Sequence, residues 1–252
     1  MASYVNDNFK FGFASTSDDG EGYLLDPQVF LKFSDDKRYV CDINNGYMRC
    51  NHNTLLSSEN TIIVNQINKQ VKPDNYRKIE DLLIALNQAI EGSGSFSLSS
   101  NDKRFLQLTV NPQNVIEFNK DSPLLHTGFE QGIYTDEKIH QAKTFWSKSG
   151  RKELIYVTLP NIVQSGMTRY ISSTNTSISN IVGLLMLMDG KDDSDHMFLS
   201  SNDFVGVDVF PQTQFNGTLK LYYNTGQLLE FDRTNLLQED VNFEIWFSMK
   251  VI

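Results

Sequence analysis

Positive charge is what this chain has too little of. Its 22 Lys and Arg stand against 31 Asp and Glu, a formal net charge of −9 over 252 residues. Binding nucleic acid directly requires a basic face to neutralise phosphates, so no direct nucleic-acid partner is expected. Long hydrophobic runs are missing as well. None approaches the roughly twenty apolar residues that span a bilayer, which argues against a membrane span. The opening MASYVNDNFKFGF has neither a basic n-region nor an apolar h-region. It predicts no secretory signal, and so a chain made in the cytosol or one whose leader has been removed.

Groups that carry chemistry are equally sparse. The four histidines, His52, His126, His140 and His196, are scattered singly. A cupin-type metal centre needs several on adjacent strand positions, so each is read as an ordinary surface or hydrogen-bonded histidine. No GxSxG elbow, P-loop, GxGxxG or HExxH occurs. The acidic clusters fall in loop-like sequence, where solvated carboxylates are expected rather than an acid/base pair. DGKDDSD, with Asp189, Asp192, Asp193 and Asp195, gathers oxygen ligands of the kind calcium takes but lacks the EF-hand spacing. No catalytic residue, cofactor or metal is expected, and the chain does not read as an enzyme.

Both cysteines lie in CDINNGYMRC. If Asn45-Gly46 forms a two-residue type I′ turn, Cys41 faces Cys50 across a hairpin at a non-hydrogen-bonded pair. That cross-strand cysteine pair leaves a disulfide geometrically open. In a chain made in the cytosol, two reduced thiols packed side by side are the expectation. A zinc site from Cys41, Cys50 and His52 lacks the paired short spacings of zinc motifs.

What the chain has in quantity is alternation. It is 40% hydrophobic and 12% aromatic, with 17 Phe, a globular composition long enough for one large β-domain or two smaller ones. FKFGFAS, QVFLKF, TIIVNQI, SFSLS, FLQLTV, VIEF, ELIYVTL, TRYIS, LLMLM, FVGVDVF and LKLYY read as strands. Loops rich in Asn, Asp, Ser and Gly separate them. The clearest strand is VNFEIWFSMKVI. Phe243, Ile245, Phe247, Met249 and Val251 face one way, and Glu244, Trp246, Ser248 and Lys250 the other. Trp246 thus falls on the polar face, where a neighbouring loop or the polar stretch 135–152 covers it, or a subunit contact uses it. One stretch departs from the pattern. In YRKIEDLLIALNQAI the residues Ile79, Leu82, Leu83, Leu86 and Ile90 recur at helical spacing, and Gly92 supplies a C-cap, so an amphipathic helix is predicted over 76–91. The polar stretch 135–152 reads as a short helix or an exposed loop and is the natural internal boundary of what is otherwise one unit, 1–252. The fold class is mainly β, a jelly-roll β-sandwich with one short amphipathic helix and an inserted element.

Several of these segments together resemble minor capsid and vertex (penton) proteins of virophages and Polinton-like double-stranded DNA viruses. In that family a strand leads through Gly-x-Tyr into a short helix of the type xxLxxxLN, followed by two strands and an LLGF element. Tyr76, Leu82, Leu83, Leu86 and Asn87 match the helix, with Asn75 in place of the glycine. Leu124, Leu125, Gly128 and Phe129 match the later element, with His126 and Thr127 inserted into it. KELIYVTLPNIVQSGMTRYIS is similar to the family's I-x-V-x-x-x-L-I strand. The segment from FNGTLKLYY to the closing strand is similar to its final pair, with Asn224-Thr225-Gly226 at the turn where Asp usually leads. The likeness covers roughly residues 61–252 and rests on residue classes.

The resemblance implies a viral structural protein, a minor capsid or penton subunit of the virion. Such subunits form a homopentamer that closes capsid vertices beside a double-jelly-roll major capsid protein. Assembly would take place in the host-cell cytoplasm or nucleus. The alternative from another class is a β-sandwich module that binds a receptor or glycan, in the manner of a spike or lectin.

Overall fold

A computed structural model describes residues 3–4, 8–25, 31–32, 38–49, 52–76, 78–136, 139–147, 150, 152, 154–161, 167–171, 176–186, 196–199, 207–208, 218–234, 237–238 and 240–251. The chain divides into two compact units. One is discontinuous, Met1–His52 with Lys152–Ile252; the other, Asn53–Arg151, is inserted between its two parts.

In chain order the first part of the discontinuous unit carries β1 (Ser3–Tyr4), β2 (Asn8–Ser15), β3 (Glu21–Leu24), β4 (Leu31–Lys32) and β5 (Tyr39–Arg49). The inserted unit carries β6 (Thr61–Val64), β7 (Ile67–Gln70), α1 (Ile79–Ala89), β8 (Gly94–Leu98), β9 (Leu106–Val110), β10 (Ile116–Phe118), α2 (Leu124–Thr127), β11 (Gly132–Tyr134) and β12 (His140–Gln141). The second part of the discontinuous unit adds β13 (Leu154–Thr158), β14 (Met167–Ile171), β15 (Thr176–Met186), β16 (His196–Leu199), β17 (Val207–Asp208), β18 (Thr218–Tyr223) and β19 (Phe243–Val251). The protein is mainly β, as its alternation predicts.

The discontinuous unit is built on one ten-stranded antiparallel sheet, ordered β14-β15-β13-β18-β3-β2-β19-β5-β16, with β17 also paired to β5. The alternation of β19 sets its register. Phe243, Ile245, Phe247 and Met249 are fully buried, and Phe13 and Phe11 stand opposite Ile245 and Phe247 on β2. Phe11 stacks on Phe247 with ring centroids 5.3 Å apart. Burying a large side chain of this kind contributes about 1.5–3 kcal/mol. On the β15 side of the unit, a Cβ at Gly183 would come 2.1 Å from Ile43 Cδ1 of β5. Glycine is therefore the residue that lets β15 close over β5, and the two layers share one core as in a β-sandwich. A smaller cluster of Tyr156, Ile171, Ile178 and Ile181 gathers on β13, β14 and β15.

In the inserted unit two small sheets, β11-β10-β6-β7 and β12-β9-β8, enclose a second core with α1. Leu82, Leu86 and Ile90 are buried and Glu80 and Gln88 face solvent, as the helical spacing predicts, whereas Leu83, expected buried with them, is only half-buried. The helix is shorter than 76–91 at both ends. Lys78 is extended (φ −124°, ψ 145°), and Ile90 ends the run. Tyr76 belongs instead to the approach, buried with its hydroxyl donating to Lys72 O at 2.5 Å. Asn87 joins α1 to β8 with two bonds to the Phe96 backbone: its Nδ2–H donates to Phe96 O (3.1 Å), and its Oδ1 accepts Phe96 N–H (2.6 Å).

Four sequence expectations are corrected. Asn45-Gly46 makes no turn, because Tyr39–Arg49 is a single strand paired on both sides, and Gly46 sits where a Cβ would lie 2.7 Å from Glu244 O of β19. TIIVNQI is two strands: Asn65 (φ 50°) and Gln66 (φ 68°) adopt left-handed backbone and reverse the chain between β6 and β7. The stretch 135–152 is neither a helix nor simply exposed among its described residues. It holds strand β12, buried Ala142 and fully buried Lys152, while Trp146 packs on the inserted core. Finally, EGYL, GIY and HMFL form strands β3, β11 and β16 that alternation alone does not reveal.

Candidate interaction surface

The residues that could carry chemistry do not converge. Cys41 is buried in β5 opposite Met249 and Val207, and burial pushes its thiol well above the usual range. Eight residues along one strand separate it from Arg49, about 26 Å at strand rise. With no turn at Asn45-Gly46, the hairpin that would bring Cys41 to Cys50 is absent; Cys50 itself lies outside the described residues, as does DGKDDSD with its Asp189, Asp192, Asp193 and Asp195. His52 is buried and bridges to Phe231, and fully buried His126 holds Nε2 3.1 Å from Thr54 O. His140 places Nε2 2.7 Å from Thr135 O. His196 lies on β16. Among the described residues no group of three or more His, Cys, Asp or Glu is placed to hold a metal. No helix among them is long and apolar enough to cross a membrane.

The elements that carry chain-specific motifs build core instead. α2 ends at Gly128 in left-handed backbone (φ 75°), with Gly128 N–H donating to Leu124 O at 2.8 Å. A Cβ there would come 2.2 Å from Thr144 O, so space as well as conformation demands glycine. Phe129, the next residue, stacks on Phe118 with centroids 5.4 Å apart, inside a cluster with Phe96 and Tyr134.

On the discontinuous unit the polar face of β19 presents a built surface around Trp246. The indole is half-buried, and its Nε1–H donates to Glu244 Oε1 at 2.6 Å. Glu244 stands opposite Tyr47 on β5 and accepts that residue's hydroxyl; burial first, and then the Glu244 charge, raises the Tyr47 pKa. Opposite Trp246 on β2 is Gly12, where a Cβ would lie 2.9 Å from the indole and 2.8 Å from Leu25 Cδ1. The ring thus lies against bare backbone. Register jumps between Trp246 and Phe247, whose β5 partners are Asn45 and Ile43, so Asn44 is the extra residue of a β-bulge beside the indole. Sequence reasoning found Trp246 with Glu244 on its face but missed Gly12 and Tyr47. A glycine in the middle of the alternating run FKFGFAS was the available signal.

Beside β19 the loop 232–242 is braced from within. The Arg233 guanidinium donates to Asp240 O (2.8 Å), Leu237 O (2.9 Å) and Asn242 Oδ1 (3.1 Å), and Asp240 Oδ2 accepts Leu237 N–H (2.9 Å). The brace leaves Leu237 exposed.

No protein-family model matches the chain, and no curated protein matches it. Among solved structures it is similar to the penton protein of mavirus, with 12% sequence identity over 97% of this chain and 99% of that one, at a TM-score of 0.44.

Proposed function

We propose that the chain is a structural subunit of a viral capsid, a penton or minor capsid protein that assembles as a homopentamer at the vertices of a virion. It would work as a single jelly-roll capsid unit beside a double-jelly-roll major capsid protein, with no catalytic step of its own. One observation carries this reading. The residues that give the sequence its resemblance to penton proteins (Tyr76, Leu82, Leu86, Asn87, Gly128 and Phe129) all take part in the architecture of the inserted unit rather than lining a reactive cleft. A protein whose distinctive residues are architectural acts through the surfaces that its architecture presents. Trp246 is the subunit contact we assign first, because a half-buried aromatic ring in a polar surround is the usual form of an interface anchor.

A ring of five requires a heterologous interface, in which one patch meets a different patch on the next copy. Light scattering on the purified chain, followed by cryo-EM class averages, tests the assignment. Fivefold rings are expected. A stable twofold dimer, or a stoichiometry matching threefold positions of the shell, would overturn it. The second reading, a glycan-binding module, is favoured by the same indole, since aromatic rings flanked by a few polar groups also form ligand sites. Glycan binding by a monomer would select it.

A further inference from the structure

The net charge of −9 is not spread evenly. The 22 Lys and Arg and 31 Asp and Glu divide as 11 and 20 in the discontinuous unit and as 11 and 11 in the inserted one. The whole excess of negative charge belongs to the discontinuous unit. Within the neutral inserted unit, one surface gathers cations around aromatic rings. The Arg104 guanidinium lies 4.5 Å from the centroid of the Phe145 ring, which is 47% exposed and packs edge-on against Phe105 at 4.8 Å. Trp146 fixes this arrangement, donating Nε1–H to Lys103 O (2.8 Å) and its backbone N–H to Arg104 O (3.0 Å). Exposed Lys103 adds a cation with no ion pair among the described residues. Arg104 is paired with Asp102 at 2.7 Å, and Lys143 with Glu130 at 3.2 Å, both at the surface where such pairs are readily exchanged.

The discontinuous unit carries the opposite pattern. Asp19 bridges to Glu230 across the chain, and Asp18 O accepts Phe231 N–H at 2.8 Å, so Asp18, Asp19, Glu230 and Asp232 are drawn to one place. The Asp18 carboxylate is 86% exposed. The Arg233 guanidinium pairs with it loosely, Nε 4.0 Å from Asp18 Oδ1, and also donates to carbonyls of its own loop.

We infer that these two surfaces meet between neighbouring copies of this chain: the Lys103–Arg104–Phe145 patch of one inserted unit docks on the Asp18–Asp19–Glu230–Asp232 patch of the next copy's discontinuous unit. The inference rests on the proposed ring assembly and supplies what such a ring needs, two different patches of complementary charge. The same basic and aromatic residues would also suit single-stranded nucleic acid. The acidic field of the rest of the molecule repels that partner and attracts the patch of a second copy.

The test uses charge reversal in the full chain. K103E/K143E and D18K/E230K place substitutions on exposed or half-exposed side chains, and their thermal melts should match the parent chain. In sedimentation at low ionic strength each double variant should associate at least tenfold more weakly than the parent, and the fourfold swap carrying both sets should recover association. Raising salt should weaken the parent ring and the swapped ring alike. If the parent forms rings that neither double variant disturbs, the docking surface is wrong while the ring reading stands. A parent that stays monomeric at every concentration removes both. If K103E/K143E abolishes binding of a fluorescent oligo-dT and leaves association unchanged, the patch belongs to nucleic acid and the inference fails.

Discussion

The discontinuous unit is held by long ladders: β2, β19, β5 and β15 run for 8, 9, 11 and 11 residues. The inserted unit has no described strand longer than five. Short strands leave backbone groups beyond the reach of the ladder, and buried N–H and C=O groups must be paired somewhere. In the inserted unit asparagine side chains, each carrying a donor and an acceptor, tie segments together at buried and exposed positions alike. Asn60 donates to Val71 O, Asn65 and Asn114 bond one another beside Val115, Asn87 brackets Phe96, Asn111 donates to Gly92 O, and Asn119 accepts Asp121 N–H. Stability therefore has different sources in the two units. Apolar area along extended strands holds one, and a compact apolar core braced by side-chain bonds to the backbone holds the other.

The sharpest way to break that contrast is to remove apolar volume from each core. Phe247→Ala, in a fully buried ring stacked on Phe11, should cost about 3–5 kcal/mol. Leu86→Ala in the inserted unit should cost about 2–5 kcal/mol by chemical denaturation. A loss below roughly 0.5 kcal/mol for Leu86→Ala would show that α1 is a docking surface rather than core. Trp246→Ala should leave the monomer's melting temperature nearly unchanged while weakening assembly by at least about 2 kcal/mol. Unfolding of the monomer instead would place Trp246 in the core. Asn87→Ala removes two bonds to Phe96 and should cost about 1–3 kcal/mol, a test confined to the asparagine-braced unit. The smallest effect concerns Cys41. Burial favours the neutral thiol, so alkylation at pH 8 should reach Cys41 only after the discontinuous unit is unfolded.

How far the chain could be read follows the same division. Where alternation is long, as in 243–251, the sequence announces both the strand and its buried face. At Asn45-Gly46 a strong hairpin dipeptide lies inside a strand. Its neighbours β19 and β16 hold it extended, and glycine is needed there for close approach rather than for a turn. Asn65-Gln66, a weaker signal, does turn. The Asn65 side chain docks on Asn114 and Val115, a tertiary anchor that no local pattern displays. Strands β11 and β12, of three and two residues, are too short to show a period. At the candidate surface Trp246 stood out because it broke the alternation. Gly12, which stands opposite it, and Tyr47, which bonds the neighbouring Glu244, come from strands more than 190 residues away in the chain, a placement that only the sheet order reveals.

That sheet order also sets a timetable for synthesis. β19 lies between β2 and β5 and follows every other strand in the chain. As the polypeptide leaves the ribosome, β2 and β5 emerge first, and the slot between them stays empty until β19 arrives. The inserted unit, whose strands and helices are all local to residues 53–151, can reach its native contacts while synthesis continues. Its host cannot, because the ladder that joins β2 to β5 is made of residues 243–251. Nascent chains therefore pass through a stage in which one unit is complete and the other shows two unpaired strand edges, the form most exposed to misassociation and to chaperone capture. A ribosome that stalls before residue 243 would release a chain that looks half native to a protease and wholly unfinished to a neighbouring subunit.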